Sequence, residues 1–151
     1  MITARITKGA DLDKRFRHAV PGMDSAVHQT VMRLALKMTS LVKRKLSGEV
    51  LKVRTGRLRR SIHPEWEFRR GWSGATVGTN VEYAAIHEFG GDIVPKRAPA
   101  LLFKVDGRWV RTQRVRMPER SFLRSALREM EPEIEGQLRA AVMQEIGKAK
   151  R

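Results

Sequence analysis

Cysteine is absent from the 151 residues, so disulfides, thiolate metal sites and thiol catalysis are excluded together. Aromatic residues make up only 6% of the chain, with a single tyrosine, and no aromatic platform of the kind that reads RNA is visible. Long hydrophobic runs are missing as well. No apolar stretch reaches the roughly 18 residues of a membrane span, and the opening MITARITKGADLDK holds no signal-peptide core. The expectation is a soluble chain, made in a cytoplasm, with no membrane partner. Internal repeats, low-complexity tracts and interdomain linkers are also lacking, and 41% apolar content is enough for one cored domain over 1–151.

Acidic residues are scarce: 16 stand against 31 basic ones, for a net charge of +15. The excess is uneven, since residues 51–70 hold seven basic and two acidic groups. A charge this far from zero repels copies of itself and attracts polyanions or acidic protein surfaces. The alternative is a solvated basic face with no partner.

Ile2, Ala4 and Ile6 alternate with polar neighbours and predict a short strand. After Pro21-Gly22, with Asp24 or Ser25 as N-cap, the spacing of Val27, Val31, Leu34, Met38, Leu41 and Leu46 predicts a long helix over 24–46. Ala35 and Val42 widen its stripe, and Ser47-Gly48 stops it. A helical turn opens at Thr55-Gly56, with Leu58 and Ile62 on one face. Ile62, Pro64, Trp66 and Phe68 then read as a strand. Arg70-Gly71 and Ser73-Gly74 read as a turn, and 75–79 as the returning strand. Asn80 is the expected N-cap of a short helix, 81–89, closed by Gly90-Gly91. Asp106-Gly107, between 101–105 and 108–112, is the strongest hairpin signal in the chain. A second long helix is expected over 119–146, lined by Phe122, Leu123, Ala126, Leu127, Met130, Ile134, Leu138, Val142 and Ile146. Pro132 is expected to kink or divide it, and the last five residues to fray. The fold class is α+β: two long helices on a small antiparallel sheet, with a projecting basic extension over 92–116.

Enzyme chemistry finds no foothold. His87-Glu88 lacks the second histidine of a metalloprotease helix, because position 91 is glycine; the bland reading is a histidine lining a small helix and a Glu88 paired with a nearby arginine. Ser40 and Lys43 have Ser-x-x-Lys spacing, which chance supplies among 7 serines and 31 basic residues. Glu129, Glu131, Glu133 and Glu135 alternate along a helix and do not cluster for metal or acid–base work. No catalytic, metal or cofactor residue is assigned, and no cofactor is expected.

The basic side chains are the candidate contact residues: Lys52, Arg54, Arg57, Arg59 and Arg60 in the first cluster, and Lys96, Arg97, Arg108, Arg111, Arg114 and Arg116 in the extension. Arg57 and Arg60 fall within one helical turn, where two guanidinium groups suit phosphates or carboxylates alike. Without a helix-turn-helix or zinc-finger pattern, any DNA contact would be to phosphates and strongly salt-dependent. The alternative to a protein-docking role is therefore a sequence-nonspecific nucleic-acid-binding module.

Three blocks stand in order: Thr55-Gly56-Arg57-Leu58-Arg59-Arg60-Ser61-Ile62, then Tyr83-Ala84-Ala85-Ile86-His87-Glu88-Phe89-Gly90-Gly91, then Arg120-Ser121-Phe122-Leu123-Arg124-Ser125-Ala126-Leu127. Over roughly 25–145 their order and spacing resemble a phage virion-morphogenesis family, the tail-completion and head–tail joining proteins of long-tailed phages. The family patterns are T-G-x-L-x-x-S-I, Y-A-x-x-x-E-F-G-G and R-P-F-L-x-x-A-L. Ser121 departs from the usual proline, which bears on where the last helix starts.

The resemblance implies a structural assembly part docking at the head-proximal end of the tail as a homo-oligomeric ring. The expected partners are further copies of itself and tail-tube, tail-terminator or connector proteins, with nonspecific contact to phage DNA. The implied location is the virion neck or tail end, reached from the host cytoplasm. Gly56, Tyr83, Phe89, Gly90, Gly91, Phe122 and Leu123 are read as fold-defining. Tyr83, Ile86 and Phe89 recur at i, i+3 and i+6 and are expected to bury an aromatic edge against the sheet. The extension is the expected working surface.

Overall fold

A computed structural model describes residues 2–7, 23–51, 55–69 and 72–149. Strand β1 (Ile2–Thr7) precedes the long helix α1 (Met23–Arg44). Val27, Val31, Leu34, Ala35, Met38, Leu41, Val42 and Leu46 are all buried, so the stripe read from spacing is the core face. Each of these side chains other than Ala35 contributes about 1.5–3 kcal/mol on full burial. A wide π-helical turn (Lys45–Glu49) follows, and the helical path ends at Ser47 and Gly48, where Gly48 has φ 126°. Pro21-Gly22, Lys52 and Arg54 lie outside the described residues, as do Arg70 and Gly71.

Helix α2 (Arg57–Ser61) is one short turn entered through Gly56 at φ 70°. Ile62 is buried and Leu58 packs on the core, so the turn is pinned by its apolar pair while Arg57, Arg59 and Arg60 stay exposed. Strands β2 (His63–Arg69) and β3 (Trp72–Thr79) form an antiparallel pair, and β1 adds on the other side of β3, giving the order β1-β3-β2. Ser73-Gly74 is therefore strand, not turn. The Trp72 ring lies over Gly74, where a Cβ would enter it, so this glycine supplies room for an indole two residues away. β3 is the central strand, with Ala75 and Val77 buried in the core shared with α1.

Helix α3 (Ala84–Phe89) begins later than expected, and its N-terminus carries no side-chain cap. Asn80 is not the cap; the Thr79 hydroxyl accepts the Val81 N–H at 3.1 Å and holds the preceding turn. The aromatic edge is also corrected. Tyr83 is 40% and Phe89 54% exposed, whereas Ala84 and Glu88 are the buried residues.

Beyond α3 the chain leaves the core. Strands β4 (Gly91–Ile93) and β7 (Val115–Met117) pair at the base of the extension. Strands β5 (Leu101–Val105) and β6 (Arg108–Thr112) form the hairpin beyond them. Asp106 at φ 48° and Gly107 at φ 81° make its turn, the double left-handed conformation that Asp-Gly favours.

The last helix, α4 (Leu123–Ala149), starts four residues after position 119 and runs through Pro132 as one element and on past 146. Phe122, Leu123, Ala126 and Met130 are buried; Leu127, Ile134, Leu138 and Val142 pack at the core margin. α4 lies along α1, and Lys37 Nζ meets Glu133 at 2.5 Å while Lys45 Nζ meets Glu129 at 2.9 Å. Two of the four alternating glutamates thus join the long helices.

Candidate functional site

The second and third sequence blocks, 83–91 and 120–127, meet at one junction, between the end of α3 and the start of α4. Glu88 is fully buried, and its carboxylate accepts the backbone N–H groups of Phe122 at 2.7 Å, Leu123 at 2.9 Å and Arg124 at 2.9 Å. The first N–H groups of a helix have no partner within it, and a negative charge there also meets the positive end of the helix dipole. Glu88 supplies both from another helix. The Ser121 hydroxyl donates to Glu88 Oε1 at 2.8 Å and accepts the Ser125 N–H at 3.2 Å. Burial would raise the Glu88 carboxyl, but the N–H groups of Leu123, Arg124 and Phe122 and the Ser121 hydroxyl outweigh it and hold it below its ordinary value. Ser121, the departure from the family pattern, has a hydroxyl doing what a proline ring could not.

Arg124 closes the junction from outside. Its Nε lies 3.2 Å from Glu88 Oε1, and its terminal nitrogen donates to the Glu88 carbonyl at 2.9 Å and to Glu119 Oε1 at 2.7 Å. The guanidinium sits 4.5 Å from the centroid of the Phe89 ring, a cation–π contact. Phe89 is thus a platform for Arg124 and not a core residue. Gly90, at φ 68°, leaves no space for a side chain: a Cβ would lie 2.7 Å from the Glu119 nitrogen. The Arg120 N–H donates to the His87 carbonyl at 2.8 Å.

Beside this junction opens a cleft of about 1270 Å³. Leu46, Leu51, Leu58 and Met117 give it an apolar lining, with Tyr83 and His87 on one side; Arg57, Arg59, Arg60 and Arg120 also border it. Among the described residues no acidic one lines it. These four arginines are exposed and form no ion pair with another described residue. Burial, with the nearby Arg120 charge, lowers the His87 pKa, so the ring is neutral at pH 7 and the arginines carry the positive charge. Its Nδ1 is buried without a partner among the described residues.

The extension carries the second set of basic groups. Lys96, Arg97, Arg108, Arg111, Arg114 and Arg116 are all exposed, and Arg114 approaches Asp92 at 3.5 Å. Leu102 is 63% and Trp109 64% exposed on one hairpin face, where Lys104 Nζ sits 5.0 Å from the Trp109 ring centroid. A two-stranded hairpin is marginal by itself in water, and this one displays large apolar side chains between charges. The structure therefore groups Arg57, Arg59 and Arg60 at the cleft and the remaining described candidates on the extension. Arg124 is the nearby arginine expected to pair with Glu88, whereas the place of Arg120 beside them and the capping of the last helix by Glu88 are not readable from the sequence. The E-F-G-G and R-x-F-L blocks are separate in the sequence, and their mutual contact exists only in the fold.

The profile of the phage virion morphogenesis family matches residues 24–147. The chain belongs to that family. No curated protein and no solved structure matches it. Membership gives this family member a phage structural or assembly role as a virion component. The matched span takes in the α3–α4 junction, the cleft and the extension. Among the described residues no helix is long and apolar enough to cross a membrane, and no group of histidines and carboxylates comes together that could hold a metal ion.

Proposed function

We propose that this family member completes the tail at its head-proximal end and joins it to the head, acting as a subunit of a homo-oligomeric ring and without turnover. The observation that carries the reading is the family match over 24–147. The geometry supports it in two ways. A core tied by buried contacts gives a rigid body, and the extension over 91–117 offers exposed Leu102, Val105 and Trp109 for neighbouring subunits. Identical subunits joined head to tail close into a ring when the rotation permits. Tail-tube, terminator and connector proteins are the partners of such a ring, and the positive charge suits either acidic neighbours or DNA passing through.

The test is genetic and structural together. A phage lacking this chain is expected to accumulate filled heads and free tails, and adding the purified protein should join them in vitro. Fully joined particles made without the protein would end this reading.

A second reading, a sequence-nonspecific nucleic-acid-binding module, draws support from the exposed arginines at the cleft. It expects duplex binding that falls steeply with salt, in proportion to the phosphates contacted.

A further inference from the structure

We propose that the cleft beside the α3–α4 junction takes an acidic, amphipathic segment of a different protein, its carboxylates on Arg57, Arg59, Arg60 and Arg120 and its apolar side chains against Leu58 and Met117. The proposal rests on the assembly reading and names the chemistry of one partner.

Charge complementarity selects the occupant. Arginines border the cleft and no acidic residue among the described ones lines it, and guanidinium groups pair with carboxylates in two-pronged geometry. The volume, about 1270 Å³, exceeds the roughly 300–1,000 Å³ of typical small-molecule pockets, so a chain segment fits better than a metabolite. The apolar lining separates protein from nucleic acid. Phosphate contact uses the arginines alone, whereas the leucine and methionine surfaces gain from an apolar ligand.

A second copy of this chain is a poor occupant. Most described carboxylates are already in ion pairs, including Glu88, Glu119, Glu129 and Glu133. Of the exposed carboxylates outside those pairs, Asp24, Glu82 and Asp106 stand singly on separate segments, and Glu131 and Glu135 on α4 each have an arginine, Arg128 or Arg139, within about one helical turn. The extension is itself basic and is repelled by the cleft.

Fluorescence anisotropy of the full chain at physiological salt tests this. The probe is a labelled twelve-residue peptide of alternating Glu-Glu and Leu-Leu pairs. Its controls are a twin with serine for leucine and a twelve-nucleotide dT strand. The glutamate–leucine peptide is expected to bind at least tenfold more tightly than either control. The double variants Arg57→Glu/Arg60→Glu and Arg57→Gln/Arg60→Gln should each lose at least tenfold, with unchanged thermal melting. Reversing Arg108 and Arg111 on the hairpin should change peptide affinity less than twofold.

Equal binding of the serine twin, or tighter binding of dT, overturns the proposal and leaves a simple polyanion surface. Failure of the assembly reading is separable. Heads and tails that join without the protein refute that reading even if the peptide binds; joining that needs the protein, with no peptide binding, refutes the cleft assignment alone.

Discussion

The Glu88 carboxylate accepts the Phe122 N–H at 2.7 Å across 34 positions of sequence, so the helix before the extension sets where the helix after it begins. The contact fastens both ends of the extension to the core: β4 follows Gly90 directly, and β7 ends five residues before Phe122.

Removing that carboxylate is expected to be severe. Glu88→Ala leaves three backbone N–H groups and Arg124 without their buried acceptor, at a cost of roughly 3–5 kcal/mol. Glu88→Gln keeps an acceptor oxygen but no charge and should cost about half as much. Urea midpoints at unchanged slope measure both. A midpoint for Glu88→Ala within experimental error of wild type would show that the junction is not the core's fastening.

The same group sets an acid limit. Its pKa is depressed in the folded state, so its stabilisation is complete above the ordinary glutamate value, about 4.3, and is lost as pH falls through the lower folded value. Unfolding free energy followed from pH 6 to pH 2 should fall more steeply for the wild type than for Glu88→Gln. Parallel curves would assign the acid sensitivity elsewhere.

Two glycines should respond in opposite directions. Gly90→Ala forces a Cβ against the Glu119 backbone at φ 68° and is expected to destabilise by more than about 2 kcal/mol. Gly136 lies within α4 with open space around it, so Gly136→Ala should stabilise by about 1 kcal/mol. Thermal midpoints of the two variants check the contrast.

The ion pairs joining α1 and α4 should not be equal. Lys45 is almost wholly buried and meets Glu129 at 2.9 Å, and the hydrogen bond that it donates to Glu129 holds its pKa up against burial. Glu129→Gln deprives that buried cation of its principal partner. Glu133 pairs with the exposed Lys37, so Glu133→Gln should cost less than about 1 kcal/mol. Urea midpoints are expected to fall further for the first variant than for the second.

Trp109→Ala should separate folding from association. Trp109 is 64% exposed on the hairpin, so its removal should move the melting temperature by less than 2–3 °C, the shift of roughly 0.5 kcal/mol expected at such surface sites. Head–tail joining in vitro should fall several-fold. Joining at the wild-type rate would show that the hairpin is not a working surface.

Much of the fold is local and therefore legible in the sequence. The α1 stripe follows from helical periodicity, and the Asp106-Gly107 hairpin from turn chemistry that no distant contact has to supply. The departures from these expectations arise where another side chain, near or far along the chain, overrules a local signal. Asn80 has the chemistry of an N-cap, yet Thr79 holds the turn. Pro118 and Glu119 look like a helix start, yet Glu88 fixes the first helical N–H groups beyond them. Ser73-Gly74 spells a turn, but Gly74 is reserved for the Trp72 ring. Phe89 has the composition of a core residue and instead carries the Arg124 guanidinium. Arg57, Arg59 and Arg60 of the first cluster are visible as charge, but their gathering with Arg120 about an apolar cleft depends on the α3–α4 junction.

The measurement that tests the central claim most directly is the mass of the purified protein by light scattering, alone and mixed with tail-tube, terminator or connector proteins. A discrete ring, formed by the protein alone or on mixing, is the expected result and gives its stoichiometry. A monomer that ignores every one of these partners, yet binds duplex DNA at low salt, would contradict the assembly account in favour of the nucleic-acid module.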